Sequence, residues 1–435
     1  MERTKQTALE KMETSPDNIK FTSQISFCSY SLSLDLYKGC PHNCQYCFAQ
    51  TSHGETLNVS SRSTVNLFSF DKAIRYTKGD DKLKVNAIYA YVNKKQPYHI
   101  GGMADPFPYK IESETKHALS FIQQIGEYPC IWSTKNPPVE YRDEIGKGNH
   151  IIQFSTIGSY RYDKRVSKIE PGLPPFEKRF HKLKLLKPSV KKVIIRFQPF
   201  IPFLWTYDTL SRFFDELATV GDAVSIEFLK KPIAEKWEKL SEALGFDVFS
   251  FFQKSPAIDM GSDKVFDLTY RFEMLKLLKQ MTHDRGMEFY SAENYFRYMS
   301  DGPACCGISE KDGKLFQSKL DYCFNTLLFK AKKEGSFTWD DVVAGAASEL
   351  LNSKWVTGFD YALAKRKIKD VMRQRFQPKS GLSPSNMFCN LVPKTIKGKL
   401  HFVYEEKKWD GGFNLYLEDY DRRYGNSILK DAKRI

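Results

Sequence analysis

Three cysteines stand close together near the start of the chain, in the spacing C-x3-C-x2-C. They are Cys40, Cys44 and Cys47, and the glycine and proline beside them predict a loop. Thiolates are soft ligands that suit iron–sulfur clusters or zinc. Zinc would need a fourth ligand, which His42 or His53 could supply. On a four-iron cluster, three thiolates leave one iron open, as a catalytic cluster requires. The spacing therefore predicts a metal centre, structural if it holds zinc and catalytic if it holds iron.

The other six of the nine cysteines fall into two groups. Cys305, Cys306 and Cys323 lie in or near a turn-rich segment. Three roles are open for them: a hydrogen-atom donor, ligands of an auxiliary cluster, or buried structural thiols. A fourth ligand for an auxiliary cluster is not obvious, and adjacent cysteines do not easily hold one cluster together. The remaining cysteines resemble core residues: Cys28, Cys130 and Cys389.

From residue 26 to about residue 291, short β-type runs alternate with amphipathic helical segments. These elements must position the cysteines. Such alternation, with few hairpin signals, predicts βαβ units and a parallel sheet. We predict an α/β fold, a partial (β/α)6-type TIM barrel, with a basic α+β C-terminal module. Loops after the strands of such barrels carry the chemistry, and the cysteine loop follows the first predicted strand. The predicted strands are 30–36, 98–101, 130–133, 151–156, 193–197, 224–229 and 288–290, and the predicted helices are 112–125, 175–186, 210–219 and 266–281.

With this cysteine spacing the chain resembles the radical S-adenosylmethionine (SAM) superfamily, and within it the spore photoproduct lyase-like branch. The resemblance covers roughly residues 26–300. Residues 101–106, Gly-Gly-Met-Ala-Asp-Pro, are similar to the branch's second-strand motif, and residues 133–136, Ser-Thr-Lys-Asn, to its turn after the third strand. The similarity continues in order through residues 154–156, Glu170-Pro171, and Arg196 with the prolines that follow it.

The resemblance implies a [4Fe–4S] cluster on the three cysteines and SAM bound to the open iron through its amino and carboxylate groups. An electron from a donor such as flavodoxin or ferredoxin then cleaves SAM to methionine and a 5′-deoxyadenosyl radical. That radical abstracts a hydrogen atom from the substrate. The cofactor performs the difficult step, while the protein orients it and excludes water.

The resemblance also implies which residues bind the cofactor. Gly101 and Gly102 let the backbone approach the methionyl group closely. Lys135 would offer a charge to the carboxylate, and Arg196 would clamp the same group or the ribose. Glu227 could reach an adenosine hydroxyl, or pair with Lys230 or Lys231 instead. The implied cofactor-binding set is Tyr46, which would pack near the adenine, with Gly101, Gly102, Met103, Asp105, Lys135, Ser155, Thr156, Arg196 and Glu227.

Two positions depart from the branch. In photoproduct lyase a cysteine that returns a hydrogen atom to the product stands where this chain has Gly102, and a relay tyrosine stands where it has Phe48. Direct reversal of a thymine photoproduct by that route is therefore not expected. Tyr46 is retained, and Cys305 or Cys306 could replace the missing donor, so these three form the predicted catalytic set.

Charge is concentrated at the C-terminal end. The 435 residues include 66 Lys and Arg against 52 Asp and Glu, a formal net charge of +14. Residues 351–435 hold 18 basic and 9 acidic residues and so contribute +9 of that charge. This favours a polyanion such as nucleic acid as partner, with a merely solvated surface as the alternative. Interleaved aromatic side chains could stack on bases: Trp355, Phe359, Tyr361, Phe376, Phe402, Tyr404 and Trp409.

We divide the chain into a leader (1–25), the radical SAM core (26–300) and a cysteine-containing basic module (301–435). Helices predicted at 318–334, 339–351 and 361–375, with a hairpin at 399–418, fit a winged-helix-like module or a cap on the barrel. No run of 18 apolar residues and no apolar signal region is present, so we expect a cytoplasmic protein without a membrane segment.

Three functions are open at this stage. The first is a radical SAM enzyme, of lyase or transferase type, that acts on nucleic acid in DNA repair or base modification. The second is a peptide- or protein-modifying radical SAM enzyme with an auxiliary cluster. The third is a zinc-stabilised nucleic-acid-binding protein without catalysis.

Overall fold

Strands and helices alternate along most of the chain. The computed structural model describes residues 19–28, 30–38, 40–47, 64–65, 67–80, 87–109, 112–230, 237–254, 264–308, 310–313, 316, 322–346, 348–353, 366–407 and 428–432. Its strands are Ile19–Phe21 (β1), Leu32–Leu34 (β2), Tyr37–Lys38 (β3), Thr64–Val65 (β4), Tyr98–Ile100 (β5), Cys130–Thr134 (β6), His150–Ser155 (β7), Lys192–Phe200 (β8), Ala223–Phe228 (β9), Phe252–Lys254 (β10), Lys264–Phe266 (β11), Glu288–Ser291 (β12), Ser336–Thr338 (β13), Leu391–Ile396 (β14) and Lys399–Tyr404 (β15).

The helices lie between these strands and after them. Their bounds are Leu67–Thr77 (α1), Ala87–Asn93 (α2), Glu112–Ile125 (α3), Arg142–Ile145 (α4), Val166–Ile169 (α5), Phe176–Leu186 (α6), Tyr207–Ala218 (α7), Trp237–Leu244 (α8), Leu268–His283 (α9), Phe324–Glu334 (α10), Trp339–Ala344 (α11), Ser348–Asn352 (α12), Ile368–Arg375 (α13), Pro384–Met387 (α14) and Ile428–Ala432 (α15). Local sequence sets several starts. Thr206 and Thr209 form a capping box before α7, and the Asp267 carboxylate accepts two backbone N–H groups at the start of α9.

One eight-stranded sheet forms the barrel, in the order β1-β2-β5-β6-β7-β8-β9-β12. Strand β1 is antiparallel to β2, and all the other neighbours are parallel. The predicted fold class, an α/β partial barrel with an antiparallel sheet in the C-terminal region, is confirmed. Strands β1 and β12 lie at opposite ends of the sheet order, so the barrel is open between them.

Alternate residues of the central strands pack into two separate cores. Side chains such as Trp132, Val193 and Val224 join the large core shared with the helices. Their neighbours form a smaller apolar floor inside the barrel: Ile131, Ile151, Ile194, Ala223 and Tyr290, which pack with Tyr30, Ala304, Cys306, Ile308 and Phe316. On four strands, the residue two positions after the floor residue is polar: Ser133, Gln153, Arg196 and Ser225. Because side chains alternate along a strand, these polar groups share the inner face with the floor.

The C-terminal module packs against the barrel. Strands β13, β15 and β14 form an antiparallel sheet beside α10, and Phe376, directly after α13, packs against Phe337 and Phe402 of this sheet. The β14–β15 turn is made by Lys397 and Gly398, with φ of 49° and 75°. Positive φ at two successive residues is the requirement of a tight hairpin turn, so a hairpin forms here. The predicted turn around residues 410–412 lies outside the described residues.

All seven predicted barrel strands and all four predicted helices are present, with ends shifted by a few residues. Residues 19–21 of the predicted leader form the edge strand β1. Part of the segment after residue 300, assigned from sequence to the C-terminal module, packs inside the barrel. None of the described helices combines the length and the apolar character needed to cross a membrane.

Candidate active site

The cysteine loop follows the carboxyl end of the first parallel strand and is fixed by backbone hydrogen bonds to residues further along the chain. The Gln45 N–H donates to the Ile169 carbonyl at 2.9 Å, and the Gly172 N–H donates to the His42 carbonyl at 3.1 Å. A Cβ at Gly172 would lie 2.5 Å from the carbonyl oxygens of Pro41 and His42. Only glycine allows this approach, so residues 169–172 form a fixed support for the loop.

The donor set of this loop fits an iron–sulfur cluster. Cys44 is buried, while Cys40 and Cys47 are half-buried. The proposed fourth ligand of zinc, His42, is 1% exposed; its Nε2 accepts the Tyr109 N–H at 3.3 Å and its Nδ1 lies 3.6 Å from Asp105. His53 lies outside the described residues. Among the described residues, the loop offers three thiols, which fits a cluster with one open iron.

The three thiols do not converge as the chain stands. Among the described residues, no three Cys, His, Asp or Glu side chains are placed to hold a metal ion. A metal centre on these thiols would therefore require the cysteine side chains to turn on the supported loop. Burial raises the pKa of Cys44 and raises that of Cys40 to about 11, so metal binding would also displace protons.

Tyr46 and Lys135 meet in a buried polar network. The Tyr46 hydroxyl donates to Glu170, and Lys135 Nζ contacts both the Tyr46 hydroxyl and Glu170, the latter at 2.7 Å. Arg179 reaches the second Glu170 oxygen at 3.2 Å. Burial raises the pKa of Glu170, but Lys135 and Arg179 outweigh it, and the net pKa is lowered. Lys135, a predicted cofactor contact, is therefore part of a buried ion pair beside the cysteine loop.

The glycine pair of the second-strand motif is crowded. Gly101 has a φ of 89°, and a Cβ there would lie 2.4 Å from the Ser133 carbonyl oxygen. A Cβ at Gly102 would lie 2.8 Å from Ser33 Oγ. The thiol that the branch carries at the position of Gly102 thus has no room here unless Ser33 moves.

Asp105 and Met103 make hydrogen bonds that fix the turn of the same second-strand motif. The Asp105 carboxylate accepts the Thr134 hydroxyl and the Lys135 N–H, both at 2.7 Å. The Met103 N–H donates to Asp35 at 2.8 Å. Both oxygens of Asp105 are thus used by protein donors, so this residue ties two strand ends together.

Polar side chains line the inner face above the floor. Ser133 Oγ donates to Gln153 at 2.6 Å and lies 2.9 Å from His99 Nε2. Arg196 donates through Nη1 to Ser133 at 3.1 Å and through Nε to Gln198. Burial, with Arg196 nearby, lowers the pKa of His99 to about 4, so its imidazole is neutral at pH 7. The cationic group of this layer is Arg196, as the resemblance implies.

Three further residues predicted to bind the cofactor differ in the contacts that their side chains already make. Ser155 and Thr156 are buried at the end of β7. The Thr156 hydroxyl is bonded to the backbone of the residue two positions later, which caps the loop. Glu227 pairs with Lys230 at 2.7 Å, which is the alternative the sequence left open.

The two cysteines of the predicted catalytic set lie in different surroundings. Cys306 packs into the apolar floor, while its carbonyl accepts the Gln153 side chain at 2.7 Å. The Cys305 carbonyl accepts the Ser225 hydroxyl at 2.6 Å, and its side chain is half-buried and is not part of that floor. Of the two, Cys305 is therefore the one close to the polar layer.

Sequence reasoning missed His99, Gln153, Gln198 and Ser225. Each is a polar residue inside a strand whose neighbours are mostly apolar. Gln153 on β7 and Ser225 on β9 each stand two residues after a floor position. This alternation along the strand is the signal that could have found them.

No family model matches the sequence. A search of curated proteins also finds no match. Among solved structures, the chain is similar to a variant of spore photoproduct lyase with bound AdoMet and dinucleoside spore photoproduct; the identity is 15%, the match covers 66% of this chain and 85% of that one, and the TM-score is 0.44. Another, spore photoproduct lyase complexed with dinucleoside spore photoproduct, has 16% identity, covers 63% and 80%, and has a TM-score of 0.45. These structures belong to the branch whose motifs the sequence resembles, and the likeness is one of fold alone.

Proposed function

We propose that the chain is a radical SAM enzyme that holds a [4Fe–4S] cluster on Cys40, Cys44 and Cys47 and abstracts a hydrogen atom from a nucleic acid. The observation that carries this proposal is the supported three-cysteine loop at the carboxyl end of the first parallel strand, next to a polar inner layer. When bound, the cluster and SAM supply a 5′-deoxyadenosyl radical. Such chemistry needs a reducing compartment, such as the cytoplasm, and a flavodoxin- or ferredoxin-type electron donor.

The residues of this chain have separate tasks in that proposal. Arg196, fixed by Ser133 and Gln198, binds an anionic or hydroxyl group of the cofactor. The turn at Gly101, packed against the Ser133 carbonyl, fixes the strand end that would contact the methionyl group. Tyr46, held by Lys135, covers the cysteine loop.

The lower barrel is filled, which limits access. Residues 304–308 pack on the apolar floor, and a Cβ at Gly307 would lie 2.8 Å from Ile194. We therefore expect the substrate to approach from the carboxyl ends of the strands, as in other α/β barrels. Cys305 is the best-placed thiol to return a hydrogen atom, since Gly102 carries none.

The test is anaerobic reconstitution with iron and sulfide. The wild type should hold about four irons per chain and, with dithionite, convert SAM to 5′-deoxyadenosine. Cys44→Ala should lose both properties while its far-ultraviolet circular dichroism stays the same, because the cysteine lies on a loop. Cys389→Ala, a half-buried thiol in the C-terminal module, is the matched control and should behave like the wild type. Full iron content in Cys44→Ala would refute the ligand assignment.

The same measurements weigh the other two functions. About eight irons per chain would favour the peptide modifier with an auxiliary cluster. Bound zinc and a colourless protein would favour the non-catalytic nucleic-acid-binding protein. Deuterated candidate nucleic acids then identify the substrate, because deuterium transferred to 5′-deoxyadenosine marks the abstraction site.

A further inference from the structure

The loop that follows β7 is a compact run of turns over residues 159–169. The Tyr162 and Asp163 N–H groups both donate to the Ser159 carbonyl, at 3.0 and 3.1 Å. The Val166 N–H then donates to the Asp163 carbonyl at 3.2 Å and begins the short helix α5. Backbone hydrogen bonds thus fix this loop along its length.

Both ends of the run, and its middle, are tied to the site or to the barrel. The run begins at the carboxyl end of β7, where the chemistry of such barrels is placed. At its other end, the Ile169 carbonyl accepts the Gln45 N–H of the cysteine loop at 2.9 Å. In the middle, the Arg165 guanidinium donates to the carbonyls of Phe203 and Leu244. The run therefore forms one fixed part of the rim around the mouth of the barrel.

The outer side of this run presents an open aromatic ring. Tyr160 is 49% exposed, and among the described residues no other aromatic side chain is classed as exposed. Phe376 and Phe402 of the basic module, predicted to stack on bases, are only 2% and 0% exposed. Stacking on a base requires a ring face that solvent can reach. Tyr160 meets this requirement, and those two phenylalanines do not.

Two lysines continue the exposed side of the run. Lys164 and Lys168 stand four and eight positions after Tyr160, and both are exposed. Because the run turns about once every three to four residues, residues at this spacing lie on one side of it. The three residues Tyr160, Lys164 and Lys168 are called the Tyr160 ridge below.

The other charges of the run are already balanced. Asp163 pairs with Arg165 at 2.6 Å. Arg161 lies 3.9 Å from the carboxylates of both Glu177 and Glu216. Neither lysine of the ridge has an ion pair within the part of the chain that the structure describes. The ridge therefore combines an open ring with two uncompensated positive charges.

We propose that the Tyr160 ridge binds a single-stranded segment of nucleic acid at the mouth of the barrel. One base stacks on Tyr160, and phosphates next to it contact Lys164 and Lys168. Within a duplex each base already stacks on its neighbours, so the ring selects a base that is free of the stack. The position of the ridge, between the end of β7 and the cysteine loop, places the adjoining nucleotide at the mouth. The inference rests on the proposed function for its substrate class.

The first test is the affinity of the reconstituted full chain for a labelled mixed-sequence DNA strand, alone and as a duplex, by fluorescence anisotropy. Tyr160→Ala should weaken binding of the single strand by about five- to hundredfold, because the stacking of one base is lost. Duplex binding should change little. Tyr160→Phe keeps the ring and should bind like the wild type. Leu185→Ala is the matched control, since Leu185 on α6 is 45% exposed and has no ring.

The second test is the salt dependence of the same binding. Replacing both Lys164 and Lys168 by alanine should make the slope of log affinity against log salt less negative by about 1.4, from roughly 0.7 per contact on a single strand. Replacing Lys147 and Lys191 by alanine removes the same charge. Both of these lysines are exposed and precede β7 and β8, at the amino ends of the strands. This control should leave the slope unchanged.

Three results would overturn the proposal: a wild type that binds no single strand, a Tyr160→Ala variant that binds it as tightly as the wild type, or equal slopes for the two double-lysine variants. A ridge variant that binds DNA normally but cleaves SAM more slowly with reduced flavodoxin, and not with dithionite, would assign the ridge to the electron donor instead. SAM cleavage by the wild type without DNA tests the proposed function separately. A chain that binds single strands through the ridge but cleaves no SAM would keep this inference and refute that function.

Discussion

Glu170 supports the cysteine loop although it is not itself a predicted ligand. Its two oxygens receive Tyr46, Lys135 and Arg179, and it is 3% exposed. Removing one member of a buried ion pair leaves an uncompensated charge, which costs about 3–5 kcal/mol. Glu170→Gln should therefore lower the free energy of unfolding by about that amount at pH 7, measured by urea denaturation. Glu140→Gln is the matched control, because Glu140 pairs with Lys182 at 2.5 Å on the surface and should cost at most about 1 kcal/mol.

The same substitution carries a pH dependence. The folded pKa of Glu170 lies below its ordinary value of 4.5, so its contribution is fully present above that value and is lost as pH falls through the lowered pKa. The difference in unfolding free energy between wild type and Glu170→Gln should therefore shrink on acidification below about pH 4.5. A difference that stays constant into that range would contradict the ion-pair assignment.

Glycine is required at position 101 for two reasons, the positive φ and the close approach of a neighbouring atom, and a control substitution separates them. Gly101 and Gly245 have similar φ values, 89° and 83°, but only Gly101 has atoms close to an added Cβ. Gly245→Ala should cost about 1–2 kcal/mol for the backbone conformation alone. Gly101→Ala should cost a further 1–3 kcal/mol or so, because the Cβ would meet the Ser133 carbonyl. Equal losses in urea denaturation would show that the turn relaxes and is not a close approach.

At the scale of elements, strand β8 places Arg196 where a ligand can use its charge. Its guanidinium is bonded to Ser133 and Gln198 and has no carboxylate among these hydrogen-bond partners. A charged hydrogen bond contributes about 1.5–3 kcal/mol. Arg196→Gln should thus weaken SAM binding by roughly ten- to hundredfold while the iron content stays normal. Equilibrium binding to the reconstituted protein measures this.

Lys135→Ala, directly after β6, provides the contrast to Arg196→Gln. Because Lys135 pairs with Glu170, its loss should lower loop stability and cluster content along with SAM binding. If Arg196→Gln binds SAM normally, β8 faces away from the cofactor and the site is wrongly assigned.

Local patterns explain which elements could be predicted. The barrel strands are short apolar runs between amphipathic segments, and α3 was predicted to the residue at Glu112–Ile125. The cysteine loop was visible because its spacing is a local property. The hydrogen bond from the Tyr30 hydroxyl to the Phe316 carbonyl was not visible, because the two residues lie 286 positions apart in the chain. Likewise, Phe376 and Phe402, predicted to stack on bases, are buried in the C-terminal core, where the ring of Phe376, directly after α13, packs against the ring of Phe402 in β15.

At the scale of the whole molecule, the barrel and the C-terminal module share one core. The rings of Phe27 and Phe388 are 6.0 Å apart, and those of Phe27 and Phe324 are 5.5 Å apart. Arg375 is buried and donates to Ser26 at 2.5 Å. Deleting the chain after residue 351 would expose these groups of the barrel. Point substitutions on the surface are therefore the sounder test of whether the basic module binds nucleic acid.

The basic helix α13 offers such a test. Lys369 and Arg373 are four residues apart on one face, and Arg373 is exposed; Lys365, predicted to share this face, lies outside the described residues. If both contact phosphates, replacing both by alanine should make the slope of log affinity against log salt less negative by about 2, from roughly 0.9 per contact on duplex DNA. Binding should weaken regardless of base sequence.

Two lysines of the same module provide the control. Lys394 pairs with Glu405 at 2.7 Å and Lys399 with Asp340 at 2.8 Å, so each already has a neighbouring carboxylate. Replacing this second pair by alanine should leave the salt slope unchanged, because no phosphate contact is lost. Fluorescence anisotropy with labelled duplex and single-stranded oligonucleotides across a salt series measures both variants. Equal slopes for both variants would show that net charge alone matters, and that α13 is a solvated face and not the surface that meets the phosphates.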